Sequence, residues 1–220
     1  MEQTGTVASA TSERGEVVLR RRDDGAHELR VNGVFVMDTL ETTSERLLAE
    51  AALAGCSSPR RVLVGGLGLG FTAHAVLADP RVEQVDVVEI EPAVVAWMRD
   101  GTVPHGPAYL ADERLRVVEA DAAVAIEEAA DEAYDLVLLD VDNGPANLVH
   151  GPNAALYTAP ALEAVRRVLA PGGTVVVWSA ARSDDLDAAL REVFGTAGSR
   201  EVAVPDHGRV GSYWLHLASR

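Results

Sequence analysis

The spacing of apolar and polar positions divides this chain into short elements of two kinds. Glu16-Val-Val-Leu-Arg-Arg-Arg22 and Glu28-Leu-Arg-Val-Asn-Gly-Val-Phe-Val-Met37 read as strands. Asp23-Asp24-Gly25 between them is a turn signal, so the two predict a hairpin over residues 15–41, with Asn32-Gly33 as a bulge or second tight turn. Residues 1–14 are small and polar and predict a disordered tail. Thr42-Thr-Ser-Glu45 has capping-box spacing and opens a helix to about Ala54, broken by Gly55-Cys-Ser-Ser-Pro59.

From Arg61 the pattern alternates strand and helix. Arg61-Val-Leu-Val-Gly65 is a β-branched run that stops at Gly65, Gly66, Gly68 and Gly70, and Phe71 onward has helical spacing. Gln84–Glu89, Leu115–Glu119, Tyr134–Asp140 and Thr174–Trp178 are further strands. Helices are expected from Pro92, from Asp121, over Ala155–Leu169 and from Ser183. Ser199–Val204 and Val210–Leu217 are joined by a gap too short for a helical crossover, so they pair antiparallel. Residues 42–220 therefore predict an α/β doubly wound, Rossmann-like, mostly parallel seven-stranded sheet with an antiparallel edge strand, preceded by the hairpin.

Composition narrows the function classes. The formal charge of −15 disfavours nucleic acid as a partner, because phosphate neutralisation needs a basic face, and it suits a cationic substrate. No apolar run approaches 18 residues, and the N-terminus has no signal-peptide pattern, so a cytoplasmic protein with no membrane partner is expected. A single cysteine and six histidines without ligand spacing predict no metal site.

The chemistry is expected at the carboxyl ends of the strands. Gly65, Gly66, Gly68 and Gly70 let a nucleotide-like cofactor lie against bare backbone. Glu89, 19 positions after Gly70, can accept both hydrogen bonds of a ribose diol. Asp121 can accept from an adenine amino group or cap the following helix, with Ala122 supplying a backbone amide to the ring. Gly68-x-Gly70-x-x-Ala73 also fits the relaxed dinucleotide fingerprint, so the glycines alone do not separate a nucleoside sulfonium from a dinucleotide. Asp140, at a strand end, can bind a cationic nucleophile and take its proton, or brace the following loop; Asp142 is the second choice. His105 and His150, both in Gly/Pro-rich loops, are further candidate bases.

Val-Gly-Gly-Leu-Gly-Leu-Gly70, Val-Val-Glu-Ile-Glu-Pro92, Val-Glu-Ala-Asp121, Tyr-Asp-Leu-Val-Leu-Leu-Asp140 and Leu-Ala-Pro-Gly-Gly173, in that order, resemble the class I S-adenosylmethionine-dependent transferases. From about Glu16 to Trp178 the chain resembles the spermidine synthase (polyamine aminopropyltransferase) family more closely. Ser44-Glu45-Arg46, Gly144-Pro145-Ala146 and Leu156-Tyr157-Thr158 add to the likeness. The resemblance implies that the four glycines wrap the methionine-like part of the donor, Glu89 holds its ribose, Asp121 its adenine, and Asp140 sits beside the sulfonium and the nucleophile. It also implies a homodimer built through the N-terminal hairpin.

The departures from the family pattern bear on the reaction. The resemblance puts an aspartate, which grips the amine of a decarboxylated donor, where this loop has Gly68. The second aspartate of the family's acceptor motif is displaced or replaced in Asp140-Val-Asp142-Asn143-Gly144-Pro145, and an aromatic residue expected ahead of Ser44-Glu45 is absent. The first expectation is group transfer, of methyl, from S-adenosylmethionine to a small-molecule acceptor. The alternatives are aminopropyl transfer from decarboxylated S-adenosylmethionine to a polyamine, and a nucleoside-binding protein without turnover.

Overall fold

The computed structural model describes residues 5–145, 148, 150–206 and 209–220. Its N-terminal part is a four-stranded antiparallel meander of β1 (Gly5–Ser12), β2 (Gly15–Arg21), β3 (His27–Val31) and β4 (Val34–Asp38), in that spatial order. Two expectations are corrected here. Residues 5–12 are a strand rather than a disordered tail: β1 pairs with β2 from Gly5↔Arg21 to Ser12↔Gly15, and Ala8 and Ala10 pack against the core. Small side chains concealed a period-2 pattern that works because a neighbouring strand exists to receive it. The single strand read over Glu28–Met37 is two, split by the second tight turn that is one of the two readings of Asn32-Gly33, where both residues have positive φ (53° and 78°), as a two-residue hairpin turn of the twisted kind requires.

Helix α1 (Thr43–Gly55) leads into the main domain. Its predicted capping box does not form. Thr42 makes no side-chain cap, and Glu45 is buried and bonded by Ser44 instead of reaching back. There follow β5 (Arg61–Gly65), α2 (Phe71–Leu77), β6 (Gln84–Glu89), α3 (Pro92–Asp100), α4 (Gly106–Tyr109), β7 (Leu115–Glu119), α5 (Ala122–Glu128) and β8 (Tyr134–Leu139). A 3₁₀ segment (Gly151–Tyr157) precedes α6 (Ala159–Val168), β9 (Leu169–Ser179), α7 (Asp184–Phe194), β10 (Ala197–Asp206) and β11 (Arg209–Ser219). The helix expected over Ala155–Leu169 thus starts four residues late: Thr158 is extended (ψ 156°), and Pro160 sits in the first turn of α6, where its missing N–H costs nothing.

The seven strands run β10-β11-β9-β8-β5-β6-β7. All adjacent pairs from β9 to β7 are parallel. The reversed strand, β11, lies one place in from the edge and pairs antiparallel with both β9 and β10. The fold is the expected doubly wound α/β sheet. Alternate strand residues serve two cores. Val62 and Val64 face α1, α2, α3 and the N-terminal meander, whereas Leu63, Val137 and Leu139 face α5, α6 and α7. Chain order reverses between β5 and β8, so the ligand crevice of such a sheet falls at the carboxyl ends of those two strands.

Candidate functional site

A cavity of about 700 Å³ opens at that point. The glycine loop forms its floor. Gly66 has φ +94°, and a Cβ there would lie 2.2 Å from the Asp140 carbonyl oxygen, so the loop can pass the end of β8 only as glycine. Two backbone bonds lock this crossing: Asp140 N–H donates to the Gly65 carbonyl (2.9 Å) and Gly66 N–H to the Val88 carbonyl (2.8 Å).

Glu89 is buried at the end of β6. Its carboxylate accepts from the backbone amides of Leu67 (2.9 Å), Gly68 (3.4 Å) and Glu91 (2.8 Å). Burial raises its pKa, opposed by those amides. Three amides leave one carboxylate lone pair, so Glu89 can accept one hydrogen bond of a ribose diol and not the two expected from the sequence. Asp121 caps α5 by accepting from Ala123 N–H (2.8 Å), and both it and Ala122 line the cavity. The helix-cap and cavity-facing readings of Asp121 are therefore compatible.

Gly66, Gly68, Glu89, Asp121, Ala122, Asp140 and Asp142 all reach this cavity. Two other predicted site residues do not line it. Gly65 is the last residue of β5 and packs on Val141, Leu139 and Ala122, while Gly70 precedes α2 and faces Met98 and Tyr109. They shape the loop from behind. His105 is also turned away: its Nε2 lies 2.8 Å from the Leu69 carbonyl, and its ring sits against Phe71 and Tyr109.

The opposite wall comes from elements far apart in sequence. Asp38 accepts from the amides of Leu40 (2.8 Å) and Glu41 (2.9 Å) and from Arg22 (2.6 Å), which fixes the turn into α1. That turn sends Glu45 into the cavity, where it is only 7% exposed. Burial, with the Asp140 charge second, pushes its carboxyl up to about 7, opposed by the Ser44 hydroxyl at 2.7 Å. Asp140 is likewise pushed up to about 6 by burial, opposed by the Thr72 hydroxyl at 2.6 Å. Asp142, with φ +56°, accepts from Asn153 Nδ2 (2.7 Å) and from His150 N–H (3.2 Å), which ties the loop after β8 to the 3₁₀ segment. Trp178 of β9 and Tyr213 of β11 add an aromatic wall, with ring centroids 4.8 Å apart. Met37 lies over the glycine loop, its Sδ 3.2 Å from Leu69 N–H.

The charge inside is unbalanced. The three arginines lining the cavity are each spent on a carboxylate: Arg14 on Glu91 (2.6 Å), Arg22 on Asp38, and Arg30 on Glu28. Among the described residues, Glu41, Glu45, Glu89, Asp121 and Asp140 of the cavity wall form no salt bridge; Glu41, Glu89 and Asp121 accept from backbone amides, whereas Glu45 and Asp140 each accept from a side-chain hydroxyl. The spacing from Thr42 assigns Glu45 to a helix cap instead. The signal available was its position one turn after Glu41, on the apolar side of α1.

Comparison with known proteins agrees with this architecture. Residues 41–188 match the spermine/spermidine synthase domain. Putrescine N-methyltransferase 2 of Nicotiana tabacum is 33% identical over 152 residues, covering 69% of this chain and 39% of that protein. Polyamine aminopropyltransferase 2 of Pseudomonas aeruginosa is 31% identical over 190 residues, covering 81% of this chain and 52% of that one. The chain thus spans between two fifths and about half of the length of these relatives. A spermidine synthase crystallised with the transition-state analogue AdoDATO superposes with TM-score 0.81 at 19% identity, over 98% of this chain and 73% of that one, and shares its fold. The family match covers most of the chain and ends within α7, and on that ground the chain belongs to the spermine/spermidine synthase family.

Proposed function

We propose that this protein transfers a methyl group from S-adenosylmethionine to an amine of a small cationic acceptor. One observation carries the reading. A cavity whose lining includes carboxylates free of salt bridges, Glu45 and Asp140 among them, adjoins a glycine loop in which no residue from Gly65 to Gly70 is acidic. The absence of a loop carboxylate holds whichever position is compared with the family's aspartate. Without that carboxylate the loop has no anion to grip the amine of a decarboxylated donor, and none to repel the carboxylate of an intact one.

The residues then divide the work. Gly66 and Gly68 admit the donor against backbone. In this reading Glu89 takes its ribose and Asp121 its adenine. Asp140, at the end of β8, holds the cationic nucleophile in line with the donor, where proximity supplies much of the rate. The site accommodates a sulfonium and an ammonium together because its net charge is negative. The relatives named for putrescine N-methylation support the methyl reading. The aminopropyltransferase relative supports a second, aminopropyl transfer from the decarboxylated donor.

The test incubates the protein with methyl-labelled S-adenosylmethionine and a panel of small di- and polyamines. Label in an N-methylated amine is the expected result. Methylthioadenosine released from decarboxylated S-adenosylmethionine, with no label transfer, would favour the second reading.

A further inference from the structure

Neither the glycine loop nor the strand-end carboxylates explain why α1 buries an acid in the cavity. A buried, solvent-starved carboxyl is costly unless something cationic arrives. Glu45 meets Ser44 Oγ on one oxygen and faces the cavity, across from Asp140. The two acids have different supports. Thr72 donates to Asp140 at 2.6 Å and favours its charged form, whereas burial and the Asp140 charge both oppose ionisation of Glu45. Other titratable or charged groups facing the same cavity are Glu41 ahead of α1, Glu89 and Asp121 at strand ends, Asp142 and His150 after β8, Asp24, and the Arg14–Glu91, Arg22–Asp38 and Arg30–Glu28 pairs.

We propose that Glu45 is the proton acceptor for the incoming ammonium, and that Asp140 serves as the fixed anion that positions it. This rests on the amine-transfer reading above and adds to it a residue and a proton route. On binding, the ammonium displaces the proton that free Glu45 carries near neutral pH, and Glu45 becomes ionised. Glu45 next removes one proton from the ammonium. The freed nitrogen lone pair forms the N–C bond to the donor carbon as the C–S bond breaks, and that bond's electron pair neutralises the sulfonium. The proton on Glu45 leaves to solvent with the product. Glu45 suits this role because it is buried in the cavity wall with no cation beside it, and burial raises its affinity for protons, whereas the Thr72 hydroxyl holds Asp140 in its charged form.

The test counts protons. 1,4-Diaminobutane is titrated calorimetrically into the free protein at pH 6.5, in two buffers of different ionisation enthalpy. Wild type should release more than about half a proton per amine bound. Glu45→Gln, which keeps the shape and the Ser44 contact, should release less than half of the wild-type amount. Glu45→Asp keeps an acid and should retain most of the release, while slowing turnover more than it weakens amine binding. Equal release from wild type and Glu45→Gln would overturn the proposal, as would amine binding without release, or no amine binding to wild type. S-adenosylmethionine is titrated separately into the same proteins. Failure there strikes the donor reading and leaves the proton count at Glu45 to be judged alone.

Discussion

The two sides of the cavity are made of different materials. The side under the glycine loop is built from backbone. Gly66 passes within reach of a carbonyl, Leu67 and Gly68 present their amides to Glu89, and Asp121 caps the helix it precedes. The other side is built from side chains carried by α1, β8, β9 and β11, with Met37 of β4 reaching over. Backbone geometry needs particular residues at particular spacings. Side-chain geometry needs only that distant elements meet. A change on the first side should therefore disturb folding and donor binding together, and a change on the second should act on turnover or on pH response while the fold persists.

Asp140→Asn should have the largest effect. It keeps the Thr72 contact and removes the anion that the proposed reaction uses to hold the nucleophile, so label transfer should fall by about 10²–10³-fold while donor affinity changes only a few-fold. Gly66→Ala attacks the backbone side. A Cβ would sit 2.2 Å from a carbonyl oxygen at φ +94°, and chemical denaturation should show a loss of about 3 kcal/mol, with donor binding lost as well.

Glu45→Gln sharpens the contrast by moving in the opposite direction. Its folded carboxyl titrates near 7 against 4.5 for the ordinary group, so the folded state holds more protons than the unfolded one between those values. The penalty is absent below about pH 4.5 and complete above about pH 7. Glu45→Gln should therefore stabilise the protein at pH 8 by up to about 3 kcal/mol and leave it unchanged at pH 4, as thermal melts at the two pH values would show. Glu89→Gln is the mildest of these changes. It preserves one carbonyl for the loop amides and should weaken donor binding about tenfold in calorimetry.

The same division decides what could be read before the structure. The strand-loop-helix of Arg61–Leu77, the ends of β6 and β8 and the closing antiparallel pair stood out because each is a local pattern with its own period or turn. The N-terminal strand β1 did not. Its Ala8 and Ala10 are too small to mark an alternating face, and Arg14 anchors it to Glu91 and the Ile90 carbonyl, some 76 residues away. Glu45 was misassigned for a related reason. Its spacing from Thr42 satisfies a capping box, and only the cavity opposite α1 gives its carboxyl another destination. Trp178 and Tyr213 belong to no sequence motif. They become a cavity wall because β11 inserts between β9 and β10.

The most direct measurement is calorimetric titration of the protein with S-adenosylmethionine and with decarboxylated S-adenosylmethionine under identical conditions. A glycine loop without a carboxylate should bind the intact donor at least about tenfold more tightly. Tighter binding of the decarboxylated donor would contradict methyl transfer, and would mean that a carboxylate outside the loop grips its amine.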